Sequence, residues 1–216
     1  MRKAVIFDVD GTLLDTERIY MQAWKDAAAS MGYVITDDLL RKTRAISAKE
    51  AVRIFEEEIG NGFSYAKVRP VRVKIAEEII ERESPILKDG AAELLDFLKE
   101  KQIPMAVASS TNLAGTRSHL GASKILDYFQ VVVGGDMIEN GKPNPDIFLK
   151  AAEMLGMAPE DCVVVEDSPA GIQAAVRAGM TAVLVPDCAA ITEEIVNMSD
   201  LVLDTLRKLP AHWDTL

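Results

Sequence analysis

Long apolar runs, cysteine and positive charge are what this sequence has least of. No stretch approaches the ~20 consecutive apolar residues that a membrane-spanning helix needs, so no membrane partner is expected. The N-terminal apolar run is shorter than a secretory h-region and leads straight into acids, so no signal peptide is expected either. Cysteine occurs only at Cys162 and Cys188. Cys162 opens an apolar, strand-like run, and the pair reads as reduced thiols of a cytoplasmic protein, with no disulfide. Lysine and arginine number 24 against 34 acids, for a net charge of -10. That balance argues against nucleic acid or an anionic lipid surface as partner, since neither polyanion would be attracted. Internal repeats and low-complexity segments are missing too. What remains is a 216-residue chain, 49% hydrophobic and 27% charged. It has material for one large domain or two small ones, and a monomer is expected.

The stretch Lys3 to Asp15, KAVIFDVDGTLLD, organises the rest. Ala4 to Phe7 is an apolar, β-prone run too short for a helix, as in a strand buried on both faces. It stops abruptly at Asp8, Val9, Asp10 and Gly11. Such an ending points both carboxylates into the crevice at the carboxyl end of an open α/β sheet. Like charges held that close need a shared cation or proton. Mg²⁺, bound by one or two carboxylates plus substrate phosphate, is the natural candidate. The bland alternative is a strand followed by an ordinary Asp-Gly turn.

Between Thr16 and Glu83 the pattern is helical throughout. Tyr20, Trp24, Ala27 or Ala28 and Met31 recur at helical spacing before Gly32. Thr36 or Asp37 can cap a short helix through Leu39 and Leu40, and Ser47 with Glu50 reads as a capping box. That box opens a helix carrying Ala51, Ile54, Phe55 and Ile59. A fourth helix carries Val68, Val71, Ile75 and Ile79, and either starts near Pro70 or kinks there. The next strand, Met105 to Ala108, comes about ninety residues after the first, where a βαβ unit needs only ~30. The excess predicts a helical insertion over residues 16–84, a cap domain, set into a core of residues 1–15 and 85–216. Beyond it, helices alternate with strands at Met105–Ala108, Val131–Val133, Cys162–Val165, Thr181–Val185 and Leu201–Leu203, with Asp89 as a cap for the first helix. The alternation predicts a doubly wound parallel sheet.

Three later strand ends carry polar clusters. Ser109-Ser110-Thr111-Asn112 offers hydroxyls and helix-start N–H groups as a phosphate cradle, though such clusters also merely cap helices. Lys142, before a Pro-Asn-Pro turn, is a cation that could balance Asp8 and a phosphate. Glu166-Asp167-Ser168 repeats the acidic ending of the first strand, and Asp167 or Ser168 could also cap the next helix.

DxDGTLxD at Asp8 to Asp15, GKPxPxxF at Gly141 to Phe148 and VVVEDSPAGIQAA from Val163 resemble, in order, signatures of the haloacid dehalogenase-like superfamily. The resemblance covers the whole chain, and the place of the insertion is similar to the helical-cap subgroup that includes β-phosphoglucomutase. It implies a phosphatase in which Asp8 is the nucleophile and Asp10 the general acid and base. Ser109, Ser110 and Lys142 would hold the phosphoryl group. Asp8, the backbone carbonyl of Asp10, Glu166 and Asp167 would hold Mg²⁺. The dehalogenases lack this acidic metal site, so dehalogenation is not expected. Retention of Asp8 and Lys142 argues against a non-catalytic binding module. For a small phosphorylated substrate such as a sugar phosphate, the subgroup implies contacts from the cap, here Arg44 and Ser47. Tyr20 and Trp24 either join them or form cap core. Tyr20 and Ala48 stand where the mutase pattern has a histidine and an arginine. Hydrolysis is therefore the first expectation and a phosphomutase the second.

Overall fold

The computed structural model describes residues 3–43, 48–187 and 190–216, without the side chains of Ala48 and Lys49. The expected contacts Arg44 and Ser47, the capping box at Ser47 and the thiol of Cys188 lie outside the described residues. The chain separates into two compact units, Met1–Asp15 with Pro85–Leu216, and Thr16–Ser84.

In the first unit, β1 (Ala4–Phe7) is buried along its whole length. A short ribbon follows, in which β2 (Leu14–Asp15) pairs antiparallel with β3 (Ile86–Leu87), Leu14 opposite Leu87. Two-residue strands leave no periodicity, which is why the ribbon is not readable from sequence.

The second unit holds α1 (Glu17–Ser30), α2 (Asp37–Lys42), α3 (Ala48–Ile59) and α4 (Tyr65–Glu83). Thr36 caps α2 by accepting from the Leu39 N–H. On α1 the buried stripe is Ile19, Ala23, Ala27 and Ala28, which keeps the expected alanines but not Tyr20, Trp24 and Met31. Tyr20 and Trp24 are only half-buried and Met31 is exposed. Small alanines form the stripe because α1 packs along α4, while the aromatics gather elsewhere. Trp24 stacks on Phe55 with ring centroids 4.9 Å apart, and Tyr65 lies 5.1 Å from Trp24. Pro70 lies inside α4, five residues after its start at Tyr65, so the helix does not begin there.

Back in the first unit come α5 (Ala91–Glu100), β4 (Met105–Ser109), α6 (Leu113–Ala122), β5 (Val131–Gly134) and α7 (Asp146–Leu155). Then follow β6 (Cys162–Glu166), α8 (Pro169–Arg177), β7 (Thr181–Leu184), α9 (Glu193–Met198) and β8 (Leu201–Val202). The sheet order is β5-β4-β1-β6-β7-β8, with every neighbouring pair parallel. The fold class is as expected: an α/β sheet wound on both faces, with a helical insertion. Alternation along β1 divides the core. Val5 and Phe7 face Leu94, Leu95 and Leu98 of α5, while Ala4 and Ile6 face Ile147 and Phe148 of α7 and Ile172 of α8. Burial of each large side chain contributes about 1.5–3 kcal/mol. Among the described residues no helix is long and apolar enough to cross a membrane.

One expected helix start is corrected, while α7 takes Pro145 as its N-cap. Asp89 does not cap α5; its carboxylate takes Thr205 Oγ1 at 2.7 Å and Arg207 Nη2 at 2.9 Å, which fastens the C-terminal segment. The cap position falls to Gly90, whose φ is +79° and where a Cβ would lie 2.2 Å from the Arg207 nitrogen. An alanine there meets both a left-handed backbone and a fixed main chain. Gly90→Ala is expected to destabilise the protein by more than about 1 kcal/mol, read as a lower midpoint in urea unfolding; an unchanged midpoint would refute this account of the junction.

Candidate active site

β1 lies between β4 and β6, where the winding of the sheet changes direction and a crevice opens at the carboxyl ends. The Asp8 N–H donates to Val165 O at 3.0 Å, extending the ladder by one step. That step sets Asp8 beside Glu166 at the end of β6. Lys142 reaches both: its Nζ is 2.5 Å from Asp8 Oδ1 and 2.7 Å from Glu166 Oε1. All three side chains are buried. Ions taken out of water cost several kcal/mol each unless geometry is close and the remaining lone pairs are met. For Glu166 they are, because the Ser168 N–H and Oγ–H donate to its Oε2 at 2.6 and 2.9 Å. The ring of Phe148 lies 4.8 Å from the ammonium, within cation–π range.

Asp167 completes an acidic group. Oxygens of Asp8, Glu166 and Asp167 all lie within 4.8 Å of one another. Thr12 Oγ1 donates to Asp167 Oδ1 at 3.2 Å. Two glycines make the room: a Cβ on Gly11 would sit 2.5 Å from Asp167 Oδ2, and one on Gly171 would sit 1.8 Å from Glu166 Oε1. Gly11 also needs its φ of +95° for the turn that ends β1. Burial pushes the Asp8 carboxyl up to about 7; Lys142 opposes this, while Glu166 and Asp10 add to it. Burial, then Glu166 and Asp8, likewise hold Asp167 well above the usual carboxylate range. Burial alone would depress the Lys142 ammonium, but Asp8 and Glu166 outweigh it and keep the proton on. Three carboxyl groups thus surround one ammonium that contacts two of them, and full ionisation would leave two negative charges unmatched. An all-oxygen donor set with that excess is consistent with a Mg²⁺ site.

Asp10 is separate from this group. Its Oδ2 accepts from Ser109 Oγ at 3.3 Å and from Thr111 Oγ1 at 3.2 Å. Its Oδ1 lies 4.0 Å from Nδ1 of the buried His119. The two aspartate side chains thus have different partners, while Asp10 still lies near enough to add to the rise of the Asp8 carboxyl. The expected phosphate cradle is also partly occupied. Leu113 N donates to Asp136 Oδ1 at 2.7 Å and Gly115 N to Asn112 Oδ1 at 2.8 Å, so Asn112 caps α6. Ser110 is exposed.

In the helical unit, Tyr20 and Trp24 line a cavity of about 180 Å³ with Glu17, Phe55, Tyr65 and Arg72. The Arg72 guanidinium lies 4.3 Å from the Tyr20 ring centroid and 5.8 Å from that of Trp24. Of the residues not anticipated, Phe148 and Thr12 fall inside motif strings and could have been found there. Thr111 stood in the Ser109–Asn112 cluster, whereas His119 and Arg72 carry no sequence signal and only the fold brings them to these places.

The chain matches the family model described as haloacid dehalogenase-like hydrolase over residues 5–185. It is 39% identical over 182 residues to a phosphorylated carbohydrates phosphatase of Thermotoga maritima, covering 82% of each chain. To a β-phosphoglucomutase of Bacillus subtilis it is 34% identical, covering 84% of this chain and 82% of the other. A crystal structure of CbbY from Rhodobacter sphaeroides in complex with xylulose-(1,5)bisphosphate superposes with a TM-score of 0.82 at 27% identity, over 97% of this chain and 96% of that one. With strand-end acids, lysine and helical insertion all in their order, and a match running from β1 to the end of β7, the chain belongs to the haloacid dehalogenase-like hydrolases, close to their β-phosphoglucomutase-like and CbbY-like phosphatases.

Proposed function

We propose that this protein is a Mg²⁺-dependent phosphatase of small phosphorylated metabolites, sugar phosphates foremost, working through an aspartyl-phosphate on Asp8. The observation that carries the reading is Lys142 Nζ held between Asp8 and Glu166 beside Asp167. Phosphoryl transfer asks a protein mainly for positioning and charge neutralisation, and this cluster offers both. The carboxylates of Asp8, Glu166 and Asp167, with the backbone carbonyl of Asp10, are the proposed holders of Mg²⁺, which when bound neutralises phosphoryl oxygens.

A carboxylate oxygen of Asp8 attacks phosphorus while the ester P–O bond breaks. The leaving oxygen takes the proton of the Asp10 carboxyl, which releases the alcohol and leaves Asp10 ionised. Asp10 then takes a proton from water as the water oxygen attacks phosphorus, and the Asp8–phosphorus bond breaks to give inorganic phosphate. Ser109, Ser110 and Lys142 are the proposed phosphoryl contacts. For the rest of the substrate we assign Tyr20, Trp24, Arg44 and Ser47, and add Arg72. Tyr20, Trp24 and Arg72 line one cavity whose aromatic wall suits the apolar side of a sugar. The carbohydrate-phosphate phosphatase relative supports the same substrate class.

Phosphomutase chemistry is the second reading, favoured by the β-phosphoglucomutase relative. Against it, Ala48 lacks the charge that the mutase pattern places there, and a lost charge-assisted contact costs roughly 1.5–3 kcal/mol.

Asp8→Asn should lower turnover on the order of 10³-fold or more while the fold persists, because an amide is a poor nucleophile of nearly the same shape. Phosphate-release kinetics with deamidation monitored by mass spectrometry measure this; substantial residual activity of intact Asn would remove Asp8 from the role. Chelator should abolish turnover, and Mg²⁺ should raise the melting temperature of chelated protein, an effect expected to vanish in Asp167→Ala. A melting temperature indifferent to Mg²⁺, with activity intact in excess chelator, rules out the metal. Finally, β-glucose 1-phosphate with a glucose bisphosphate present should yield free phosphate faster than glucose 6-phosphate. Parallel assays of the two products on one sample decide the point, and efficient isomerisation with little phosphate released puts the mutase first.

A further inference from the structure

The buried face of α6 is unusual for a helix packed on a sheet. Beside Leu120 it carries Thr116 and His119, at 0% and 4% exposure. Burying an imidazole costs free energy unless a polar group answers it. The group facing Nδ1 is the Asp10 carboxylate, with Oδ1 at 4.0 Å, which is electrostatic contact rather than a hydrogen bond. Asp10 needs such a constraint, since its side chain keeps 23% exposure. Its other oxygen is held by the hydroxyls of Ser109 and Thr111. Thr116, one turn before His119, fastens that loop by donating to Thr111 O at 3.2 Å and Asn112 O at 3.0 Å. One helix therefore bears on both sides of the same carboxylate, through the loop on Oδ2 and through the imidazole on Oδ1.

We propose that His119 is a positioning residue for Asp10, orienting its carboxyl for proton transfer to the leaving oxygen. The inference rests on the reading of Asp10 as general acid. A general acid must lie within about 2.6–3.2 Å of the oxygen it protonates, so a carboxyl that swings freely loses much of its effect. When a phosphoryl group engages the Ser109 hydroxyl, that hydroxyl is withdrawn from Asp10, and His119 and Thr111 remain to hold it. The proton balance is that given above: Asp10 loses one proton as the ester bond breaks and regains one from water. His119 exchanges none.

The chemical signature is sensitivity to the leaving group. A good leaving group departs as an anion and needs little help, whereas a poor one depends on Asp10. The experiment compares kcat/KM for p-nitrophenyl, phenyl and benzyl phosphate in the full-length protein with Mg²⁺. The variants are Asp10→Ala, His119→Leu, His119→Gln and His119→Asn, each with its melting temperature recorded. Asparagine places an amide near the Nδ1 position and glutamine near Nε2, so the pair shares polarity and differs in what faces Asp10. His119→Leu and His119→Gln are expected to raise the p-nitrophenyl-to-benzyl ratio roughly tenfold. His119→Asn should stay near the wild-type ratio, and Asp10→Ala should exceed them all. If His119→Leu does not fold, the glutamine and asparagine variants decide. An unchanged ratio in glutamine, or an equal shift in asparagine and glutamine, overturns the proposal while Asp10→Ala still shows its effect. An unchanged ratio in Asp10→Ala itself removes the general-acid reading, and the positioning role falls with it.

Discussion

One ammonium group shared by two buried carboxylates is the constraint on which the rest of the structure depends. Lys142 lies between Asp8 and Glu166, at 2.5 and 2.7 Å, with all three removed from water. An acidic pair at adjacent strand ends would otherwise repel itself and oppose folding. Much local sequence serves this arrangement. Ser168 occupies the second oxygen of Glu166, Thr12 reaches Asp167, and Phe148 lies 4.8 Å from the ammonium. Gly11 and Gly171 leave the carboxylates the space that a side chain would fill. The cation is not sufficient for all three acids. Burial first, and neighbouring acids second, make Asp8 and Asp167 bind protons more tightly than ordinary carboxylates, and a divalent cation would oppose both effects.

Two aspartates separated by one residue have different surroundings. Asp8 faces cations and acids, while Asp10 faces hydroxyls and an imidazole. Different environments for neighbouring carboxyl groups are how one site obtains both a nucleophile and an acid. The division arises in the turn after β1. The Asp8 N–H still bonds to β6, whereas Leu13 and Leu14 N–H groups return to Val9 O and Gly11 takes a left-handed φ, so Asp8 extends the strand and Asp10 belongs to the turn. α6 contributes to the second environment at the expense of its own apolar face. That also explains its weak helical pattern in sequence, with Thr116 and His119 at positions where a surface helix usually has aliphatics.

The amino-acid sequence by itself determined the strand runs, the parallel alternation, the helical insertion and the strand-end motifs. These follow from local matters: apolar runs of strand length, capping side chains such as Thr36 and Ser168, and acids that end a buried run. Tertiary structure alone decided which groups meet. The ribbon of β2 and β3 is two residues long and exists only because the chain leaves and returns at one place. Asp89 reads as a helix cap locally, yet Thr205 and Arg207, more than a hundred residues away, take its carboxylate. On α1 the expected alanines are buried, but Ile19 and Ala23 take the places expected for Tyr20 and Trp24, because close approach to α4 favours small side chains. Nor does any local pattern bring Arg72 over Tyr20 or His119 to Asp10. Sequence periodicity reports what each element hides from water, whereas a site is made by groups from distant elements, and only the folded chain sets their distances.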